Sequence, residues 1–204
     1  MLYYLIPTTT KYKDIVLPKL LNSLHTQNNI IIAVNNAEEN KIEQRDNIIT
    51  YYSTNNSFEY LVLPVALELL KEDDHIFWLH DTCECGEKFD SIINGFDYTH
   101  YNFVDVYHGQ CNFGIYSISF LKKDQEFISS LSNIDKTNAV EFEGRYYHKF
   151  RNKMGAFPNS TVVNKETVDV YNNGTKRLVE YYSGIDLYKF KANWWFRRDW
   201  VVTA

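Results

Sequence analysis

Short continuous apolar runs alternate with periodic or polar stretches along the first part of the chain. "LYYLIP" (2 to 7), "NIIIAV" (29 to 34), "IITYY" (48 to 52) and "HIFWL" (75 to 79) are rich in β-branched and aromatic residues and end at polar positions. Runs of that length and makeup predict strands buried on both faces. Between them, "IVLPKLLNSLH" places Val16, Leu17, Leu20, Leu21 and Leu24 on one face of a helix that Asp14 would cap, with Pro18 near the first turn. "FEYLVLPVALELLKEDD" (58 to 74) predicts a second amphipathic helix whose start is blurred by Pro64, and "NAEENKIEQRD" and "STNNS" are polar connections. Beyond residue 90 the pattern loosens. "NFVDVY" (102 to 107) and "FGIYSISF" (113 to 120) predict strands, and helical stretches follow near 121 to 131 and 139 to 152.

Strands alternating with helices predict an α/β fold with a mainly parallel central sheet covered on both faces. No internal repeat, low-complexity tract or Pro/Gly/Ser linker interrupts the chain, so residues 1 to 204 are expected to form a single domain. The composition, 45% hydrophobic and 23% charged, is that of a folded protein.

Charge and cysteine content narrow the function. The net charge is −5 and the basic residues are scattered, so the electrostatic footprint of general nucleic-acid binding is missing. Aromatic residues reach 16%, which suits core packing first and sugar or base stacking second. Cys83, Cys85 and Cys111 are an odd set that argues for a reducing compartment. The opening "MLYYLIPTTTKYKD" has no charged n-region or cleavage site, and no apolar run has the length of a membrane span. A cytoplasmic protein with no integral membrane segment is therefore expected.

Open parallel sheets bind ligands outside the carboxyl ends of their strands. Those positions here are Thr8 to Thr10, Asn35-Asn36, Ser53 to Asn56 and His80-Asp81-Thr82, all polar. Asp81, at the end of a rigid strand, has the hard oxygen donor that Mg²⁺ or Mn²⁺ prefers; it would equally serve to cap the next turn. Cys83-Glu84-Cys85 lacks the second spaced pair of a structural zinc site, so two small thiols packed beside a turn at Gly86 is the preferred reading. In "NAVEFEGRYYHKF" (138 to 150), Glu141 and Glu143 are candidate general bases, while Glu141 with Arg145 also has the spacing of a surface ion pair. Lys176 and Arg177 follow the turn Asn173-Gly174-Thr175, with Lys189 and Lys191 further on; such cations suit a diphosphate clamp or simply a solvated surface.

In their order along the chain these features resemble a GT-A type nucleotide-sugar glycosyltransferase, through most of the first 150 residues. The resemblance implies a GT-A-like, Rossmann-like fold and a nucleotide-sugar pocket. Thr8 and Thr9 would lie by the nucleoside, Asn35 by the base or ribose, and Glu59 would face the nucleotide. Asp81 would stand at the metal-binding Asp-x-Asp motif, holding Mn²⁺ or Mg²⁺. His80-Asp81-Thr82 departs from that motif by offering one carboxylate where the family offers two. Glu143, or Glu141, would be the base of an inverting enzyme, and Lys176 and Arg177 would close over the diphosphate. The implied reaction moves a sugar from a nucleoside-diphosphate donor to a hydroxyl on a glycan, lipid or protein acceptor. The rival is a non-catalytic nucleotide- or sugar-binding domain on the same fold. A nucleotidyltransferase would want a Gly-rich basic loop after the first strand, and "IPTTTKYKD" has no glycine.

Overall fold

The structure, a computed structural model, describes residues 1–107, 113–131, 134, 154–169 and 175–190. Its strands are β1 (Leu2–Thr9), β2 (Asn29–Asn35), β3 (Lys41–Arg45), β4 (Ile48–Tyr52), β5 (His75–Trp78), β6 (Cys83–Cys85), β7 (Phe103–Asp105), β8 (Gly114–Ser117), β9 (Met154–Ala156), β10 (Val162–Asp169), β11 (Thr175–Tyr182) and β12 (Leu187–Lys189). Its helices are α1 (Lys13–Ser23), α2 (Val62–Leu69), α3 (Phe89–Gly95), α4 (Ile118–Lys122) and α5 (Gln125–Ser129), with a 3-10 turn at Phe58–Leu61 leading into α2.

The large sheet runs β3-β4-β2-β1-β5-β8-β7-β9. Its centre, β4-β2-β1-β5, is parallel throughout, as the buried apolar runs predict. Antiparallel pairs β3-β4, β5-β8 and β7-β8 flank that centre, and β7-β9 is parallel again. Successive residues of the central strands feed opposite cores, as the pleat requires. Tyr4, Ile6, Ile32 and Phe77 pack with Leu17 and Leu20 of α1 and Phe89 and Ile93 of α3, whereas Leu5, Ile31, Ala33 and Trp78 pack with Tyr60, Val62, Val65 and Ala66.

A second sheet, β10-β11-β12-β6, is wholly antiparallel and lies against the first core through Cys83, Cys85, Tyr182 and Leu187. Its edge strand is the cysteine segment. Both thiols are buried and free, and burial pushes Cys83 up to about 12 and raises Cys85 as well. Thiols so protonated are packing groups.

Several local expectations shift. The strand expected to end at Pro7 continues to Thr9, with Pro7 paired in register to Ala33. Asp14 lies in the first turn of α1 instead of capping it; Tyr12 holds the cap position, and Pro18 sits inside the helix. The polar stretch before β4 contains β3, whose residues are all exposed, so no apolar pattern marks it. "FGIYSISF" divides into β8 and the start of α4. Gly114 opens β8 at φ 154, where a Cβ would strike the Val104 carbonyl, so the approach of β8 to β7 requires glycine. The helix expected over 139 to 152 falls outside the described residues. Among the described residues no helix is long and apolar enough to cross a membrane.

Candidate functional site

The parallel centre gathers the carboxyl ends of β1, β2, β4 and β5 on one edge of the sheet, and the polar residues after those strands meet there. Asn35, only 1% exposed, is the knot that holds them. Its Nδ2 donates to the Thr8 carbonyl at 3.1 Å, and its Oδ1 accepts the Ser57 backbone N–H at 2.9 Å. One carboxamide thereby ties the end of β1 to the loop that starts the 3-10 turn. Asn36 adopts φ 58, a left-handed conformation asparagine tolerates, and its N–H reaches the Asn55 carbonyl at 3.0 Å. Ser53 anchors the same loop, accepting at its carbonyl from Ala37 and at its Oγ from Asn55. The loop delivers Glu59 to the first turn beyond Ser57.

After β5 the chain turns at His80-Asp81-Thr82 into β6, with the Cys83 N–H returning to the His80 carbonyl. The His80 ring packs edge-on against Phe113, centroids 5.5 Å apart. Asp81 retains some exposed surface, yet desolvation pushes its carboxyl up to about 6, a combination expected of a group at the floor of a cleft. The Thr8 hydroxyl and the backbone N–H groups of Thr82 and Asp81 restrain that rise, and the Glu59 charge adds to it. Thr8 Oγ1 lies against the Asp81 carboxylate and favours its charged form, whereas Thr9 Oγ1 is a buried hydroxyl with no hydrogen-bond partner. Buried polar atoms are almost always satisfied, so an orphan hydroxyl on the same sheet edge as a desolvated carboxylate marks a place shaped for something else.

Of the residues singled out from the sequence, Thr8, Thr9, Asn35, Glu59 and Asp81 converge here. Asn35 is buried and bonded to backbone at both ends of its carboxamide, so it also shapes the site. Lys176 and Arg177 lie along β11, paired with β10 at Val168 and Thr167; their side chains are outside what is described. Glu141 and Glu143 fall outside the described residues altogether.

The small sheet brings a cation nearer. Lys189 pairs in register with Cys83, and the next residue, Phe190, donates its N–H to the Thr82 carbonyl at 3.0 Å. By sequence Lys189 is one lysine among several; only the pairing of β12 with β6, which no periodicity announces, sets it beside the Asp81 turn.

Among the described residues no group of three His, Cys, Asp or Glu side chains is gathered that could hold a metal ion. Asp81 and Glu59 form a smaller set of hard oxygen donors whose mutual repulsion a divalent cation would relieve. Such an ion would take the rest of its coordination from ligand oxygens and water.

No family model matches the chain, and no curated protein does. Among solved structures it is similar to the Francisella tularensis 2-C-methyl-D-erythritol 4-phosphate cytidylyltransferase (IspD), at 16% identity and a TM-score of 0.46, over 76% of this chain and 88% of that one. A likeness this loose assigns no chemistry to the strand-end site.

Proposed function

We propose that the strand-end cleft binds a nucleoside-diphosphate sugar and that the chain transfers the sugar to a hydroxyl acceptor. The observation that carries this reading is the union, on one sheet edge, of a desolvated Asp81, the Thr8 hydroxyl against it and the orphaned hydroxyl of Thr9. A ligand rich in oxygen and hydroxyl groups suits such an edge. The sequence order of the same features supports the glycosyltransferase assignment.

In this reading Thr8 and Thr9 contact the nucleoside side of the donor and Asp81 faces the diphosphate. Asp81 and Glu59 would hold Mg²⁺ or Mn²⁺, which, when bound, neutralises charge on the departing diphosphate. The Asn35 knot keeps β1 and the Glu59 turn in fixed relation, so the donor meets a preorganised edge. Glu143, or Glu141, is the base proposed from the sequence for an inverting outcome.

The test is a thermal-shift screen against nucleoside diphosphates and nucleotide sugars, with and without Mn²⁺. Ligand at about a hundred times its dissociation constant stabilises by roughly 2.7 kcal/mol. One nucleotide giving a shift enlarged by metal, followed by release of nucleoside diphosphate on adding an acceptor, supports transfer. A shift without turnover for any acceptor identifies a binding domain instead, and no shift at all removes the nucleotide reading.

A further inference from the structure

The two sheets meet at the Asp81 turn, and the small sheet contributes a cation there whose placement is set by backbone pairing. β12 runs antiparallel to β6 with Lys189 opposite Cys83, two residues past Asp81. The Phe190 N–H to Thr82 carbonyl bond fixes this stretch of β12 to the turn itself. Lys189 Nζ lies 5.1 Å from the Phe113 ring centroid, and the same ring packs against His80 at 5.5 Å. The Phe113 ring thus contacts both Lys189 and His80. Lys189 and Asp81 are both close enough to the buried Cys83 thiol to bias it, in opposite directions.

We infer that Lys189 receives the anionic, diphosphate end of a ligand seated at Asp81, the part that the family resemblance assigns to Lys176 and Arg177. This rests on the donor reading above for the identity of the ligand, and on the β12–β6 register for the position of the charge. Lysine suits that role because its compact ammonium is a point charge on a flexible stem, able to follow phosphate oxygens. Its Nζ lies over the Phe113 ring, so the charge is held close to low-dielectric surface where it acts over a longer range.

The site is thereby divided. The large sheet offers hydroxyls and carboxylates to the neutral and metal-binding parts of a ligand, and the small sheet offers Lys189, with Glu180 opposite it in the register, to its anionic part. Lys165 makes an internal control. It lies on the opposite face of the small sheet, 3.3 Å from the Tyr181 ring centroid, and shares the basic character of Lys189 without its position.

The experiment measures pyrophosphate binding by calorimetry for the wild-type chain, Lys189→Gln, Lys189→Arg and Lys165→Gln, and in parallel binding of the nucleoside diphosphate panel. Lys189→Gln is expected to weaken pyrophosphate by roughly tenfold to a hundredfold, the range for loss of one charge-assisted contact. Lys189→Arg should stay within a few-fold of wild type, and Lys165→Gln should be unchanged. Wild-type affinity in Lys189→Gln overturns the assignment, as does an equal loss in the Arg variant, which keeps the charge. Equal losses in all three variants, or no pyrophosphate binding by the wild type, overturn it too. Nucleotide binding that ignores Lys189 leaves the donor reading standing while this one falls. Lys189-dependent pyrophosphate binding with no affinity for any nucleotide does the reverse.

Discussion

Strand β5 has an aspartate at each end, and the fold treats the two in opposite ways. Asp74, before the strand, is 6% exposed; its carboxylate accepts the Lys71 backbone N–H at 3.0 Å and the Met1 amine at 2.9 Å. Burial alone would raise it, but those two donors outweigh burial and hold it below the usual carboxylate range. Asp81, after the strand, is desolvated with weaker support and a second carboxylate nearby, and it rises to about 6. Donors aimed at a carboxylate make it a structural clamp, whereas a carboxylate left short of donors is a group waiting for a partner.

The strongest way to break the comparison is Asp81→Asn. Under the transfer reading, loss of the carboxylate lowers activity by about a hundredfold or more. The same change should stabilise the ligand-free protein by about 2 kcal/mol at about pH 7.5, because an ionised Asp81 is held in a desolvated place. Kinetics and urea unfolding read the two effects separately. A variant that keeps its activity, or gains no stability, returns Asp81 to the role of an ordinary turn residue.

Asp74→Ala should show the mirror image. Removing that carboxylate strands the Lys71 N–H and the Met1 amine and costs about 2 kcal/mol in urea unfolding, with nucleotide affinity unchanged. A neutral result would mean that solvent replaces both bonds, and the contrast between the two ends would lose its structural half.

Much of the Asp81 end is legible in the sequence, because a parallel strand buried on both faces is a continuous apolar run and the residue after it is fixed by where the run stops. Thr8, Thr9, Asn35 and Asp81 follow from that rule. The role of Asn35 does not: donating to Thr8 and accepting from Ser57 is a long-range arrangement that residue type alone leaves open. The small sheet is harder still. β6 is three residues long and reads as a cysteine turn, and its pairing with β12 joins segments far apart in the chain. β3 escapes the pattern because an edge strand with every residue exposed has charged positions where a pattern would need apolar ones.

Thr8→Val sharpens the comparison on a smaller scale. It removes the hydroxyl that favours the charged form of Asp81, so near pH 7.5 the ligand-free protein should lose about 1 kcal/mol while nucleotide binding weakens. Thr161→Val is the counterpart beside the small sheet, where Thr161 Oγ1 and Ser183 Oγ lie 2.7 Å apart, and it should leave nucleotide binding unchanged. If Thr8→Val changes neither stability nor binding, the hydroxyl does not act on Asp81 and Thr8 has no part in the site.

The finest test is the pH dependence of stability, where the two ends of β5 oppose one another. Asp81 binds its proton more readily folded than unfolded, so its contribution is fully present at low pH and is lost as pH rises from about 4 through about 6. His75, at the Asp74 end, has a buried Nε2 without a partner, and desolvation lowers its pKa below 6.5. It binds its proton more readily unfolded, so its contribution is present above 6.5 and is lost as pH falls below that value. Where the two ranges overlap, between the lowered pKa of His75 and about pH 6, the two slopes have opposite signs and the wild-type profile of these two groups is flattened. Asp81→Asn should therefore expose a stability that rises with pH across this window, and His75→Gln one that falls. Parallel profiles for wild type and both variants would show that neither end of the strand titrates as its surroundings dictate.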